Sequence, residues 1–190
     1  SGPLPPAAVA LALRAAGAMD EYHRQRQTIE LVWTGPHAPG DALRRSDQVL
    51  LDLINGSTTS LLLVTFAAYQ VPQIKEALMV AANRGVKLTL IAESEKESEG
   101  KVSFDPVLAL GEKLAARFSV YVWPHDQRPH DAAGHFGALH AKCAVADRAA
   151  LLVSSANITG HALSLNMELG VLIRGGAEPA AVVDHFERLV

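Results

Sequence analysis

The segment HAKCAVAD at residues 140–147 is followed by two shorter polar motifs, SSAN at 154–157 and NME at 166–168. Each motif adjoins a short run of apolar residues with the length of a β-strand. We therefore predict three consecutive strands, at residues 139–145, 151–155 and 166–173. The dipeptide Asp147-Arg148 lies between the first two runs and predicts a tight turn, so these strands form a meander.

The polar side chains of these strands are spaced so that they share a face of the sheet. Residues two apart in a strand point the same way, so His140 shares a face with Lys142, and Ser155 shares one with Asn157. Glu168 lies near the start of the third predicted strand. Because neighbouring strands are about 5 Å apart, we expect these side chains to converge on one small group.

The chemistry of this group of side chains suits a tetrahedral oxyanion such as phosphate. Lys142 supplies positive charge, and Ser155 and Asn157 supply hydrogen-bond donors. His140 is a candidate nucleophile or proton carrier, and Glu168 a candidate for holding His140 in one tautomer. This scheme needs no metal ion and no other cofactor.

The motif spacing resembles the signature of the phospholipase D superfamily: H-x-K-x4-D, six residues, G/S-S-x-N and a later Glu. The resemblance implies that His140 attacks phosphorus and forms a phosphohistidine, while Glu168 orients His140. It also implies that Lys142 and Asn157 bind phosphate oxygens, with support from Ser155. The implied enzyme is a metal-independent phosphodiesterase.

Two positions of the signature differ from the others, one in residue type and one in strand parity. Ser154 stands where the family usually has Gly, which is a change between small residues. Asp147 has the opposite parity to His140, so we expect it to support the turn between two strands rather than to face the substrate.

The resemblance extends upstream, over about residues 28–175. The phrase ELVWTGP at residues 30–36, before Arg44-Arg45 and an apolar helix, is similar to the phospholipase-D-like component of DISARM anti-phage systems. This similarity implies a bacterial defence role, nucleic acid as substrate and other defence-system subunits as partners.

The chain upstream of the motifs alternates between strand and helix patterns. The apolar run 60–69 predicts a central strand, and stripes of apolar residues predict helices from Ser46, Pro72, Asp105 and Glu178. We predict an α/β fold: a mixed, largely parallel β-sheet flanked by helices on both faces, as in a phospholipase D-like α-β-α sandwich. We assign residues 1–27 to an N-terminal helical segment and residues 28–190 to the catalytic domain.

The composition of the chain bears on its attraction to nucleic acid, its redox compartment and its relation to membranes. The net charge of −3 and a pI near 6.2 leave no global field that attracts nucleic acid, although a local basic groove would suffice. The single cysteine, Cys143, excludes a disulfide within the chain and suits a reducing cytoplasm. No apolar run reaches 18 residues, so we expect neither a membrane span nor stable membrane association, and we interpret residues 7–18 as part of a docking helix.

Three further histidines, His125, His130 and His135, recur every five residues in the segment 124–137. Because this spacing suits neither a helix face nor a strand face, we expect a substrate loop rather than a metal site. Arg128 in this segment is interpreted either as a phosphate contact or as a solvated side chain. The charged residues 93–101 are expected to be exposed, and Thr65 and Tyr69 end the central strand, where α/β sites gather.

The expected function is phosphodiester hydrolysis, most readily of nucleic acid. Hydrolysis of a lipid head group is the alternative within enzymes, and a weakly active nucleic-acid-binding or assembly subunit is the alternative outside them. Displacement through a phosphohistidine needs one neutral histidine and a second, protonated group for the leaving alkoxide. The chain has one signature, so we predict a homodimer with a shared active site in which each His140 faces its copy.

Overall fold

The computed structural model describes residues 5–36, 40, 43–65, 71–93 and 110–190. Within these residues the helices are α1 (Pro6–Arg26), α2 (Ser46–Gly56), α3 (Pro72–Asn83), α4 (Glu112–Ala115), α5 (Gly160–Ser164) and α6 (Glu178–Glu187). The strands are β1 (Gln27–Thr34), β2 (Arg44–Arg45), β3 (Ser60–Thr65), β4 (Lys87–Ala92), β5 (Phe118–Tyr121), β6 (Cys143–Ala146), β7 (Ala150–Ser154) and β8 (Glu168–Gly175).

The strands form one eight-stranded sheet in the order β2-β1-β8-β7-β6-β3-β4-β5. Strands β3, β4 and β5 are parallel neighbours, as are β1 and β2, whereas β6 and β8 are antiparallel to every strand that they pair with. All strands except β6 and β8 therefore point the same way. The prediction of a mixed, largely parallel sheet is confirmed.

Helices cover both faces of this sheet, as predicted. The larger apolar cluster lies under α2 and α3, whose stripes include the buried residues Leu53, Ile54 and Leu78. A smaller cluster on the opposite face packs against α6 through Val183. Full burial of a leucine or isoleucine side chain stabilises a fold by about 1.5–3 kcal/mol, so these stripes hold the layers together. The central strand β3 is buried on both faces from Leu61 to Thr65.

The strand directions bring several chain ends to one edge of the sheet, here called the upper edge. Strands β1, β3 and β7 end at this edge, and β6 and β8 begin there. Thr34 at the end of β1 is the Cα partner of Glu168 at the start of β8. His140 and Lys142 precede β6, the motif 166–168 opens β8, and the motif 154–157 lies at the end of β7. The polar residues of all three motifs therefore meet at the upper edge.

Some predicted boundaries were wrong or lie outside the described residues. The strand predicted at 139–145 begins only at Cys143, so His140 and Lys142 precede it. At the start of the predicted range the N–H of Leu139 donates to the carboxylate of Glu93 at 2.9 Å instead of to a neighbouring strand, so regular pairing begins later. Tyr69 and most of the helix predicted from Asp105 are outside the described residues.

The turn predicted at Asp147-Arg148 is confirmed. Both residues have positive φ, 52° for Asp147 and 56° for Arg148. They are the first two residues of the three-residue connection 147–149 between β6 and β7, and the N–H of Ala149 donates to the carbonyl of Ala146 at 2.9 Å, which closes the turn. The side chain of Arg148 forms ion pairs with Asp184 and Glu187, which ties the hairpin to α6.

The N-terminal helix α1 is observed close to its predicted range, over Pro6–Arg26. Those of its side chains that the structure describes are exposed. Across the described ranges, no helix combines the length and the apolar character that crossing a membrane requires.

Candidate active site

His140 and Lys142 lie side by side at the upper edge, just before β6. The Nζ atom of Lys142 is 3.2 Å from Nδ1 of His140 and donates to the backbone carbonyl of His140 at 2.7 Å. The N–H of Ser154 donates to the carbonyl of Lys142 at 3.1 Å, so the segment stays against the end of β7. His140 is exposed and Lys142 is half-buried, which leaves the imidazole accessible to a substrate.

This contact bears on the tautomer of His140. An ammonium group can only donate, so a hydrogen bond from Lys142 makes Nδ1 of His140 the acceptor and leaves the proton of a neutral ring on Nε2. The sequence assigned the choice of tautomer to Glu168. The geometry brings Lys142 to the ring, which no rule of strand parity could indicate.

Glu168 joins the motif residues through its two carboxylate oxygens. Ser155 Oγ donates to Oε2 of Glu168 at 2.5 Å, and Nδ2 of Asn166 donates to Oε1 at 3.1 Å. Ser155 Oγ also accepts the backbone N–H of Leu169 at 3.1 Å. Ser155 thus links the end of β7 to the start of β8 and fixes the carboxylate at the upper edge.

Lys142 and Asn157 line the same small cavity, here called the Lys142 cavity, with a volume of about 30 Å³. Its other polar lining residues are Ser46, from the start of α2, and Ser154. Oγ of Ser46 and Oδ1 of Asn157 are buried and have no hydrogen-bond partner among the described residues. A volume of this size accommodates a group as small as a water molecule or a single oxygen of an anion.

Ser46 is a site residue that the sequence did not indicate. The helix predicted from Ser46 begins there, and its N-cap is Arg45, whose side chain makes no capping hydrogen bond. Ser46 is the first residue of the helix and lines the Lys142 cavity. A cap and a first-turn serine have the same sequence signal, so only the backbone geometry separates them.

Burial sets the ionisation of two residues that line this cavity. Partial burial lowers the pKa of Lys142 below its ordinary value, and the nearby charge of Glu168 opposes that shift. Burial also raises the pKa of the Cys143 thiol to about 12. The thiol therefore stays neutral at physiological pH, which suits a packing role in β6.

Asp147 lies at the opposite end of β6 from His140 and binds a different part of the chain. Its carboxylate accepts the backbone N–H groups of Thr58, Thr59 and Ser60 at 2.7–2.9 Å, and the hydroxyls of both threonines. Burial alone would raise the pKa of Asp147, but these hydrogen bonds outweigh it and hold the pKa well below the usual range. The carboxylate connects the β6–β7 hairpin to the start of β3.

A buried ion pair, which the sequence did not reveal, supports the segment before His140. The side chains of Glu93 and Arg128 are 0% and 1% exposed and make two hydrogen bonds, at 2.6 and 3.1 Å. Arg128 also donates to the carbonyls of Trp123 and Gly137, while Glu93 accepts the N–H of Leu139. Both expectations for Arg128, a phosphate contact or a solvated side chain, are wrong, as is exposure of Glu93.

The three loop histidines lie against a phenylalanine ring and a carboxylate. The rings of His125 and His130 pack against Phe136, with centroid distances of 3.9 and 5.2 Å. His135 Nδ1 lies 3.0 Å from the carboxylate of Asp131. Over the part of the chain that the structure describes, no three His, Cys, Asp or Glu side chains are grouped closely enough to hold a metal ion.

The upper edge also contains Thr65, at the end of β3. Thr65 is fully buried, and its hydroxyl accepts the backbone N–H of Ile158 at 3.4 Å. It therefore fixes the segment that follows Asn157 rather than facing a substrate. Tyr69, the second residue expected there, is outside the described residues.

Comparison with known proteins assigns the chain to a family. The family model described as "Cardiolipin synthase, PLD-like domain" matches residues 50–190. The chain is 27% identical over 153 residues to the DISARM protein DrmC of Bacillus paralicheniformis. That alignment covers 80% of this chain and 59% of the relative, so the chain spans little more than half of the length of that protein.

Two solved structures share the fold. Nuc, a phospholipase D family member from Salmonella typhimurium, has a TM-score of 0.58 and 21% identity, covering 85% of this chain and 93% of its own. NucT from Helicobacter pylori has a TM-score of 0.60 and 16% identity, covering 85% and 94%. Since the family model matches well over half of the sequence, the chain belongs to the PLD-like family of the phospholipase D superfamily.

Proposed function

We propose that this protein is a metal-independent phosphodiesterase that cleaves nucleic acid through a phosphohistidine on His140, in anti-phage defence. The observation that carries the proposal is the position of Lys142, whose Nζ lies 3.2 Å from Nδ1 of His140 and which shares a cavity with Asn157. A nucleophile, a cation and an amide are therefore within reach of one phosphate. The relatives named Nuc, NucT and DrmC support the choice of a nuclease and of a defence role.

In the proposed reaction, phosphate oxygens bind Lys142 and Asn157, with support from Ser155. Transfer of the Lys142 hydrogen bond from His140 to the phosphate frees the ring to change tautomer, and Glu168 stabilises the charge that develops on it. A bond forms between the ring nitrogen of His140 that carries no proton and phosphorus, while the bond between phosphorus and the leaving oxygen breaks. A proton from a general acid neutralises that oxygen. Water then gives a proton to the same general acid, now a base, and attacks phosphorus, and the bond between phosphorus and His140 breaks.

The amide of Asn157 suits this role after a simple rotation. Its buried Oδ1 is an acceptor, whereas a phosphate oxygen needs a donor. A half-turn about the Cβ–Cγ bond exchanges Oδ1 for the Nδ2 donor at nearly the same position. The phosphate oxygen then accepts a hydrogen bond from Nδ2, and the position of the unpaired acceptor is occupied by a donor that has a partner.

The general acid is proposed to be His140 of a second copy in a symmetric dimer. An apolar stripe of Leu165, Met167 and Leu169 flanks Glu168, and Leu165 and Met167 are each 71% exposed. An exposed apolar surface of this kind beside a site is typical of an interface between chains. Its position would bring two copies together where the site needs a second histidine.

A lipid head group is the second candidate substrate, because the matching family model is described as a cardiolipin synthase domain. The phosphodiester chemistry is the same for both substrates. A binding or assembly subunit with little turnover is the alternative outside enzymes.

The test is hydrolysis of bis(p-nitrophenyl) phosphate, single-stranded DNA and RNA, and phosphatidylglycerol vesicles, all in EDTA. We expect the parent protein to cleave the aryl diester and the nucleic acid, and His140→Ala to do neither. His161→Ala is the matched control, since His161 is exposed on α5 and outside the motifs. Equal activity of the parent protein and His140→Ala, or activity that depends on added metal, would contradict the proposal.

A further inference from the structure

A second cavity of about 180 Å³, here called the Trp33 cavity, lies beside the Lys142 cavity. It is lined by Trp33, Thr34, Gly35, Arg45, Leu163 and Ser164. Leu163 lines both cavities, and Thr34 is the Cα partner of Glu168 across β1 and β8. A substrate with its phosphate at Lys142 would therefore extend into this space.

Thr34 gives this cavity an unused polar group. The residue is 5% exposed, and its Oγ1 is buried without a hydrogen-bond partner among the described residues. A buried hydroxyl in this state destabilises the fold, because the hydrogen bonds that it makes to water in the unfolded chain are not replaced. Thr34 lines the cavity, so rotation about its Cα–Cβ bond lets this hydroxyl exchange an unpaired state for a hydrogen bond to a ligand.

Trp33 gives the cavity a fixed aromatic surface. Its indole Nε1–H donates to the carbonyl of Pro36 at 3.0 Å, which sets the orientation of the ring. The ring lies so close over Gly35 that a Cβ atom there would be 3.0 Å from it, and the φ of +136° also favours glycine. A ring held in this way is ordered before a ligand arrives, and nucleobases of any sequence stack on such rings.

Arg45 gives the cavity a positive charge at the start of α2. Its side chain is 64% exposed and bonds Asp47 through Nε at 3.1 Å and Nη2 at 2.7 Å. A guanidinium has five N–H donors, so further donors are available to a phosphate despite this ion pair. In the neighbouring first turn of α2 the N–H of Gln48 donates to Asp47 at 2.8 Å, so the positive charge offered to an anion is that of Arg45.

We propose that the Trp33 cavity binds the nucleotide next to the scissile phosphodiester of a single-stranded nucleic acid. The base stacks on Trp33, a sugar or base polar group bonds to Thr34 Oγ1, and the adjoining phosphate binds Arg45. The volume is below the 300–1,000 Å³ range of pockets for drug-sized ligands, which suits one nucleotide unit. This inference rests on the proposed nuclease function and names how that site selects its substrate.

The test compares Thr34→Val and Trp33→Ala with the parent protein. The readout is the ratio of kcat/KM for a single-stranded oligothymidylate to kcat/KM for bis(p-nitrophenyl) phosphate, which has no neighbouring nucleotide. We expect Thr34→Val to lower this ratio about 10-fold, the value of one lost hydrogen bond to a ligand. The variant should be at least as stable as the parent protein in urea, since the isosteric change removes an unpaired hydroxyl. Thr28→Val, an exposed threonine at the other end of β1, should leave the ratio unchanged.

Trp33→Ala should lower the ratio more than Thr34→Val, and Trp33→Phe, which keeps a ring, should lower it less. A ratio within about twofold of the parent value in both Thr34→Val and Trp33→Ala would overturn the subsite, given the 10-fold effect expected above. If the two variants lose activity only toward phosphatidylglycerol vesicles, the subsite is overturned in favour of a lipid head group. If the parent protein cleaves no diester, the proposed function fails, and anisotropy of a fluorescent oligothymidylate decides the subsite separately. Binding about 10-fold weaker in Thr34→Val would then support it, and equal binding would overturn it.

Discussion

At the scale of single residues, Glu168 is connected to three parts of the candidate site. Its carboxylate receives hydrogen bonds from Ser155 and Asn166, and its charge raises the pKa of Lys142 against the effect of burial. It is thus placed both to fix the meander locally and to stabilise positive charge at the upper edge. These two roles are separable by a substitution that keeps the shape and removes the charge.

Glu168→Gln should lower kcat/KM by about 10²–10⁴-fold, the upper limit being the effect of an analogous tautomer-fixing carboxylate in a serine protease. The fold should survive, because a glutamine amide can still accept from Asn166 and donate to Ser155. Steady-state kinetics and thermal unfolding measure the two effects. Glu112→Gln, on the exposed side of α4, is the control and should change neither. Full activity of Glu168→Gln would remove this residue from the proposed mechanism.

The residues of the candidate site were predictable to the extent that strand parity and motif spacing determine them. Spacing placed His140, Lys142, Ser155 and Glu168 at one edge, although His140 and Lys142 precede their strand rather than lie in it. The contact partners were not predictable. Whether Lys142 or Glu168 reaches the imidazole depends on side-chain rotamers and on the path of a three-residue segment, which have no sequence period.

At the scale of secondary-structure elements, Asp147 connects the β6–β7 hairpin to the start of β3. Its folded-state pKa is lowered, so the carboxylate contributes stability that is fully present above the unfolded pKa of about 3.9 and is lost as pH falls through the folded value. Asp147→Asn keeps one acceptor and loses the other. Because hydrogen bonds to a charged group contribute about 1.5–3 kcal/mol and solvent weakens a partly exposed group, we expect a loss of about 2 kcal/mol at pH 7.

The pH dependence distinguishes this role from simple loss of packing. The difference in free energy of unfolding between the parent protein and Asp147→Asn should be constant from neutral pH down to about pH 5 and should shrink below about pH 4. Urea denaturation at a series of pH values measures it. A difference that persists unchanged at acid pH would show that the charge of Asp147 has no part in stability.

The buried pair Glu93–Arg128 should be the most sensitive point of the segment 124–139. Glu93→Gln leaves a buried guanidinium without its counter-charge, so we expect a loss of about 3–5 kcal/mol in the free energy of unfolding. Glu30→Gln is a matched control, because Glu30 pairs with Arg44 at 3.4 Å near the surface, where a pair contributes about 0–1 kcal/mol. Similar losses in the two variants would contradict the importance of burial here.

The helices and strands were largely predictable from the sequence, whereas the buried Glu93–Arg128 pair was not. Periodic apolar residues correctly located α2, α3 and β3, because burial repeats along a helix or strand. The Glu93–Arg128 pair joins residues 35 positions apart with no repeating pattern between them, and a charged residue followed by a charged segment has the sequence signal of a surface loop. Its burial follows from the tertiary fold alone.

At the scale of the whole molecule, the proposed dimer requires each site to use two chains. If both copies of His140 are needed, half of the parent chains lose activity when an equal amount of His140→Ala exchanges into the dimers. The total activity should therefore fall to about half. Independent sites would leave the total unchanged. Light scattering at the assay concentration should also give the mass of two chains.

The apolar stripe provides the control for this mixing experiment. Adding Met167→Glu to the His140→Ala chain places a charge in the exposed stripe beside Glu168 and should prevent pairing. This double variant should not lower the activity of the parent protein when mixed with it. An active monomer with no dimer at the assay concentration would refute the shared site.

The covalent intermediate on His140 tests the proposed chemistry most directly. An oligonucleotide that carries a radioactive phosphate at its cleavage sites is mixed with the protein in EDTA, quenched in base within milliseconds and separated under denaturing conditions. Label should stay on the parent protein, resist base, leave in acid as expected for a phosphohistidine, and map to the peptide that contains His140. Label on another residue, or turnover with no label on the protein while His140→Ala remains active, would contradict a phosphohistidine at this position.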